Sequence, residues 1–470
     1  MPSRINIGPE NGPYVAINEE NGNLQLEDNS GNVVAEWDDG QSQWDFVEND
    51  ISGVGAFDSE SVTTEVSRTG TEPVHNVKFY GATGDGSTDD TNAINEAIDS
   101  APSEGVVYFP RGSYRVTETI TLQKDITIRF EGSFASENGD IIGPRITQAD
   151  GDNVSPLVKT DEVRISGSIA VDGNDTNQTD DVFGVHIDQA FGPKRLDVYA
   201  VNCDTACRAE NETETFPLSV FAGESGTALE LGPNDGSRDP DQLEANVYGH
   251  NIRDHLVHAT GTGTGEINAY GEQIDGVAVL VEAGNWTLKT PLLRGINDDC
   301  VRVTGGTASL YGGYLDGDSE SFGAVFATSG SHHVIGTRIV GVDTGVRQRQ
   351  DGSRVFCSGV EVTGYETAAF SARDDLSMTV HNPMTTDVIG GADMFRTRDG
   401  ANITAHVSQE ILTNPDFSTI NVDDGYVYLI SNEPYTTDER DSIPADENHV
   451  IRLLNIDESA EQIWDGSVWT

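Results

Sequence analysis

Residues 77–122 read VKFYGATGDGSTDDTNAINEAIDSAPSEGVVYFPRGSYRVTETITL. Thr88, Asp89 or Asp90 can cap a short helix, because a side-chain oxygen there accepts one of the orphan N–H groups of the first turn. Ala93, Ile94, Ala97 and Ile98 then fall on one stripe and predict an amphipathic helix of about three turns. Val106-Val107-Tyr108-Phe109 reads as a buried strand. Pro110 ends it, and Arg111-Gly112 makes the turn. Tyr114, Val116, Ile120 and Leu122 carry the apolar alternation onward in strands.

Downstream the chain repeats itself. Short β segments start near Glu266, Trp286, Thr307, His332, Arg354, Leu376 and Ala401. A period of about 20–25 residues signals a solenoid. Each repeat has a strand, a glycine-containing turn and a second strand, as in WTLKTPLLRGINDDCVRVTGG (286–306). With no helix between them, such strands suit a parallel β-helix, whose coils stack about 4.8 Å apart and bury their inner faces on one another. VRISGSIAVDGND and KRLDVYAVNCDTA are looser early coils, and 172–181 and 208–242 read as projecting loops.

The two ends differ from the middle. Residues 1–73 form a small β-rich head, with Asn21-Gly22 and Ser30-Gly31 as hairpin turns and a connector from Ile51. In 411–470, YVYLIS, HVIRLLNI and QIWDGSVWT are strands that break the repeat, and a cap or oligomerisation piece is expected there.

The stretch 77–122 resembles the entrance of the pectate-lyase superfamily of right-handed β-helices. Phe79, Gly81 to Gly86, Thr88 to Thr91, Ala93, Ile94, Val107 to Pro110, Gly112 and Tyr114 carry the match, and the resemblance covers about 74–410. It implies an all-β, right-handed parallel β-helix with a short N-terminal cap helix. The motif identifies architecture and not activity. The same cap occurs in secreted polysaccharide enzymes and in spikes of tailed viruses. The start, MPSRINIGPENGPYV, lacks the apolar run of a secretory signal, which favours the second kind. That resemblance implies a homotrimer, a head that joins other virion proteins, and a β-helix that meets a host surface glycan or glycoprotein. The protein would assemble in the host cytoplasm and be exposed on the virion. The alternative is a depolymerase, hydrolase or lyase, acting on host surface polysaccharide.

One constellation bears on that alternative. The polygalacturonase branch of the superfamily carries an Asn-Thr-Asp coil, an Asp-Asp-Cys coil, a Gly-His-Gly and an Arg-x-Lys. Gln273-Ile274-Asp275, Asp298-Asp299-Cys300, Ser321-Phe322-Gly323 and Arg347-Gln348-Arg349 stand in those places, and the histidine is missing. The resemblance makes Asp275, Asp298 and Asp299 the candidate acid and base and Arg347 a candidate sugar-binding group. Carboxylates one or two coils apart fall within the roughly 5–9.5 Å that glycosidases use. Asp298 and Asp299 can serve one site only if they lie in a turn, since strand neighbours face opposite sides. The aromatic residues Tyr270, Trp286, Tyr311 and Tyr314 either stack on sugar rings or pack at a subunit interface.

Other features read more plainly. Cys203, Cys207, Cys300 and Cys357 are too few for a disulfide framework and lack zinc-ligand spacing, so buried small hydrophobes are expected. His332-His333 reads as a turn pair, and the acids around Asp172 and Asp175 as a solvated loop. No cofactor or metal centre is expected beyond structural calcium or sodium ions. Asn153, Asn174, Asn177, Asn211, Asn285 and Asn402 stand in glycosylation sequons.

The charge narrows the partners further. The chain has 27 Lys plus Arg against 79 Asp plus Glu, a net charge of −52, and its lysines are only Lys78, Lys124, Lys159, Lys194 and Lys289. Such a surface excludes nucleic acid as a simple electrostatic partner and disfavours an anionic membrane. No run of 18 apolar residues provides a membrane span. Acid enrichment with few lysines resembles the coats of halophilic proteins, in which molar salt shortens the Debye length to about 3 Å and screens the repulsion.

Overall fold

The computed structural model describes residues 74–132, 143–160, 163–188, 195–210, 217–232, 242–350, 353–374, 376–386, 392–408, 420–422, 426–431 and 463–464, together with the backbone of several strands outside them. Two compact units divide the chain, Met1–Thr71 and Glu72–Thr470. The first is an antiparallel meander of Ile5–Ile7, Val15–Glu20, Asn23–Glu27, Val33–Asp38 and Gln43–Phe46. Glu20 pairs with Asn23; the expected turns at Asn21-Gly22 and Ser30-Gly31 lie outside the described residues. The connector from Ile51 to Pro73 lies outside the described residues.

The second unit is a parallel β-helix. It opens with helix α1, Thr91–Ser100, which buries Ile94, Ala97 and Ile98 against the first coils. Asp90 does not cap α1 with its side chain. Instead its carboxylate accepts the N–H groups of Thr83 (2.7 Å) and Gly84 (3.0 Å) and folds the Gly-Asp-Gly loop back onto the helix start. A side chain at Gly84 would strike the Tyr114 ring at 2.9 Å, and φ there is +64°, so glycine is required twice over.

Two parallel ladders wind upward from there. One is a 13-stranded sheet from Ile120–Leu122 to Ile420–Val422, and the other is a 25-stranded sheet forming the remaining walls. The upper coils have three strands each, as in Asn285–Lys289, Leu292–Ile296 and Val301–Val303, one more than the repeat predicts. The extra division comes from sharp corners such as Thr290 (φ +46°) and Gly312 (φ +68°). Within the expected loop at 208–242, Pro217–Gly223 and Thr227–Leu231 are ladder strands, and 211–216 and 233–241 lie outside the described residues. The parallel ladder also runs past residue 410, since Asn402 pairs with Tyr426 and Val427 with His449. Among the described strands it reverses at Ala460–Trp464, which pairs antiparallel with His449–Asn455.

Alternation puts Leu288, Leu310, Val334, Cys357, Val380 and Ala405 in one inward column, all fully buried. Each leucine or valine there contributes about 1.5–3 kcal/mol by leaving water. The four cysteines are free and buried inside the coils, and burial pushes the thiols of Cys203, Cys300 and Cys357 far up. The outward residues of the two ladders are what a ligand can meet.

Candidate functional site

The expected acid–base carboxylates occupy one turn column. Asp275 follows Thr264–Ile274, and Asp298 and Asp299 follow Leu292–Ile296 one coil above. The two neighbours do lie in a turn, but Asp299 is only 1% exposed. Arg302 Nε donates to it at 2.6 Å, and the Phe322 N–H donates at 3.1 Å. Burial raises the Asp299 carboxyl pKa while Arg302 opposes the rise. The same guanidinium reaches Asp298 at 2.8 Å. Asp275 is exposed and accepts 2.8 Å from the Asn297 amide, so it stacks on an amide and not on a second carboxylate. Asp299 is therefore the buried counter-ion of Arg302 in this structure. Phe322 stands where the histidine would, and its ring lies under the Arg347 guanidinium at 4.4 Å.

Arg347 belongs to a different pattern, an outward column along the 13-stranded sheet. Register runs Lys159, His186, Arg208, Glu230, His258, Leu280, Arg302, Val325, Arg347, Ser371, Arg396. In the lower coils the cations are neutralised from within. His186 meets Glu210 at 3.0 Å, Arg208 meets Glu230 at 2.8 Å and His258 meets Glu282 at 3.1 Å. Above Arg302 this changes. Two residues after Arg347, Ser371 and Arg396 come Arg349, Arg373 and Arg398, with the ladder continuing through Arg349 N–H to Phe326 (2.9 Å) and Arg398 N–H to Ala372 (3.1 Å). Five of the six positions in this two-by-three lattice are arginine.

These arginines repel one another. Burial, then Arg349 and Arg373, lower Arg347 to about 10. Burial, then Arg398 and Arg349, lower Arg373 as well. Among the described residues, Arg347, Arg349 and Arg373 form no ion pair within 4.0 Å, and Arg396 only reaches Asp393 at 4.0 Å. The Nε atoms of Arg373 and Arg396 are buried and make no hydrogen bond. Unpaired buried donors are costly, and an anionic partner would satisfy them. A planar guanidinium presents paired donors that match a carboxylate or sulfate.

The aromatic residues divide. Trp286 is 2% exposed and donates Nε1–H to the Ala283 carbonyl at 3.0 Å, so it is core and cannot stack on a sugar. Its parity with buried Leu288 in Asn285–Lys289 is a signal the sequence held. Tyr311 is 42% exposed at a coil corner. Tyr314 lies between Arg294 (5.8 Å) and Arg338 (6.0 Å), which approach its ring as cations over a π face. Tyr270 ends a stack that reasoning from single coils misses: Tyr199, Phe221, Tyr248 and Tyr270 occupy one outward column.

His332 and His333 are in the strand Gly330–Ile335, not in a turn. His332 points inward, fully buried against Phe326, and His333 points outward, so the pair cannot share a metal. In the acidic loop, Arg253 holds Asp175 at 2.5 Å and Arg145 holds Asp172 at 3.2 Å. Among the described residues no group of three His, Cys, Asp or Glu side chains could hold a metal ion.

A family model described as rhamnogalacturonase A/epimerase, pectate lyase-like, matches residues 74–135. A probable glucan endo-1,3-beta-glucosidase of Arthroderma benhamiae is 49% identical over 55 residues, 12% of this chain and 6% of that protein. Alginate lyase 7 of Azotobacter vinelandii is 58% identical over 45 residues, 9% of this chain and 5% of that protein. The chain thus spans a small fraction of the curated relatives it matches. Among solved structures, the A-module of the Azotobacter vinelandii mannuronan C-5 epimerase AlgE6 aligns with TM-score 0.43 and 17% identity, over 77% of this chain and 100% of that one. Tailspike protein 3 of bacteriophage CBA120 aligns with TM-score 0.43 and 11% identity, over 84% of this chain and 68% of that one. The matched entrance is pectate-lyase-like, and the fold that follows it is the parallel β-helix.

Proposed function

We propose that this pectate-lyase-like β-helix is the receptor-binding spike of a virion in a salt-rich habitat, and that it grips an acidic glycan on the host surface through its arginine lattice. The observation that carries this reading is the lattice itself. A chain of net charge −52 concentrates Arg347, Arg349, Arg373, Arg396 and Arg398 on one face of three coils, and among the described residues Arg347, Arg349 and Arg373 lack the ion pairs that neutralise the coils below. Bidentate hydrogen bonds persist in molar salt, where long-range attraction is screened. The protein would act as a homotrimer, joined to other virion proteins by its head, with no nucleic-acid partner, no membrane insertion and no cofactor beyond structural calcium or sodium ions.

The experiment compares polygalacturonate, dextran sulfate and neutral dextran as ligands in 1 M salt. The two anionic polymers bind and neutral dextran does not. Arg347→Gln with Arg373→Gln raises Kd about tenfold per arginine, the equivalent of ~1.4 kcal/mol for each charge-assisted contact. Equal binding by the double variant would remove the lattice from the reading. No sugar is released during incubation, because Asp299 is closed off and Phe322 replaces the proton-transferring group. Release that disappears in Asp299→Ala would reinstate the depolymerase.

A further inference from the structure

On the other ladder, Tyr199, Phe221, Tyr248 and Tyr270 stack coil upon coil. Their ring centroids are 4.6, 4.6 and 4.9 Å apart, and successive planes lie within 8° of parallel. The column lines a groove of about 490 Å³, and the neighbouring column of His250, Glu272 and Arg294 forms its side. A sugar ring stacks on the face of an aromatic ring, but here each inner face is covered by the next ring. Only edges point outward, with Tyr248 37% exposed. The result is a flat apolar strip, three coil spacings or about 14 Å long.

Such a strip matches the centre of a protein interface, where Tyr and Phe are enriched and Arg and polar groups form the rim. The partner must also tolerate the charge of this chain. Immediately beside the rings, the two middle coils carry Ser219, Gly223, Asn246 and His250, of which Ser219 is buried, while Asp197 and Glu272 stand beside the rings at the two ends of the column and exposed Glu244 lies farther along the Tyr248 strand. Two copies of a −52 chain that meet on the middle coils keep carboxylates out of the centre of the contact. Where the strip of one copy meets that of another, Glu272 and Arg294 at its end supply both signs of charge for the rim.

We propose that the Tyr199–Phe221–Tyr248–Tyr270 column is the face through which copies of this chain associate. This deepens the self-association proposed above and is independent of the glycan. It also separates two tasks on two walls of one solenoid, self-contact on the aromatic column and ligand on the arginine lattice.

The test is the mass in solution by light scattering, in molar sodium chloride, of wild type, Tyr248→Asp, Tyr248→Ser and Phe79→Asp. Phe79 is 58% exposed in the N-terminal cap and serves as the control. Wild type and Phe79→Asp give the same multimeric mass. Tyr248→Asp runs as a monomer with an unchanged circular-dichroism spectrum, and Tyr248→Ser dissociates at a concentration at least tenfold higher than wild type. A monomeric wild type overturns both the association and its location. A Tyr248→Ser protein as fully assembled as wild type overturns the location alone, whether or not Tyr248→Asp folds. Loss of polygalacturonate binding by Tyr248→Ser at unchanged mass would make the groove a glycan site instead. If wild type binds no glycan but Tyr248→Ser still dissociates, the interface stands and the glycan reading falls.

Discussion

Arg302 and Arg347 share one outward column of the 13-stranded sheet, two coils apart, yet they face opposite circumstances. Arg302 closes on Asp298 and Asp299, and those carboxylates hold its pKa above the usual value against the effect of burial. Arg347 rests on a phenylalanine ring with arginines around it and is driven down. The same side chain is thus a structural clamp in one coil and an available donor in another.

That difference predicts the effect of losing the clamp. Arg302→Gln leaves Asp299 buried without its counter-ion and should cost about 3 kcal/mol, since breaking a buried pair from one side strands a charge. Asp299→Asn with Arg302→Gln should recover much of that loss. Thermal melts of the single and double variants check this. A double variant less stable than Arg302→Gln alone would contradict the clamp.

His332 makes stability depend on pH in a definite direction. Its pKa falls from 6.5 to about 4, chiefly because burial disfavours the charged ring. The unfolded chain therefore binds a proton that the folded chain refuses between those values. The contribution is intact above pH 6.5 and is lost as pH falls toward 4, up to about 3 kcal/mol by linkage. His332→Gln, which cannot titrate, should lose less stability than wild type between pH 7 and 4. Parallel pH profiles for the two proteins would sink the assignment.

Salt should act on the whole coat. At 0.1 M the Debye length is about 10 Å, long enough for neighbouring carboxylates on a −52 surface to repel. Tm should rise steadily from 0.1 M to 3 M sodium chloride. A Tm that does not change with salt would mean the acids are held apart well enough without screening.

Much of the fold could be read from residue order, because its determinants are local. The Ala93, Ile94, Ala97, Ile98 stripe gives α1, and Val106–Phe109 gives the first buried strand. The inward placement of Trp286 was also available, through its parity with Leu288. Arg302, three and four residues from the acids it binds, stood in plain view as their partner. The arginine lattice and the aromatic stack were not legible in the same way. They exist only once register between coils is known, and corner lengths that vary from coil to coil hide which residues fall in line. The strands beyond residue 410 are where the sequence puts them, but their place in the parallel ladder was hidden for a related reason. Their spacing departs from the earlier repeat, while their backbone pairing does not.

The backward strand Ala460–Trp464 has a consequence for how the molecule behaves when crowded. A stack of parallel coils offers the same hydrogen-bonding polarity at every level, so each coil is a template for another. A strand laid on Ala460–Trp464 in the direction of the coils below would pair with it antiparallel instead of parallel. Strand direction thus breaks the uniform ladder that a coil-on-coil fibre would repeat, and it does so independently of the screening that silences the acidic coat in brine.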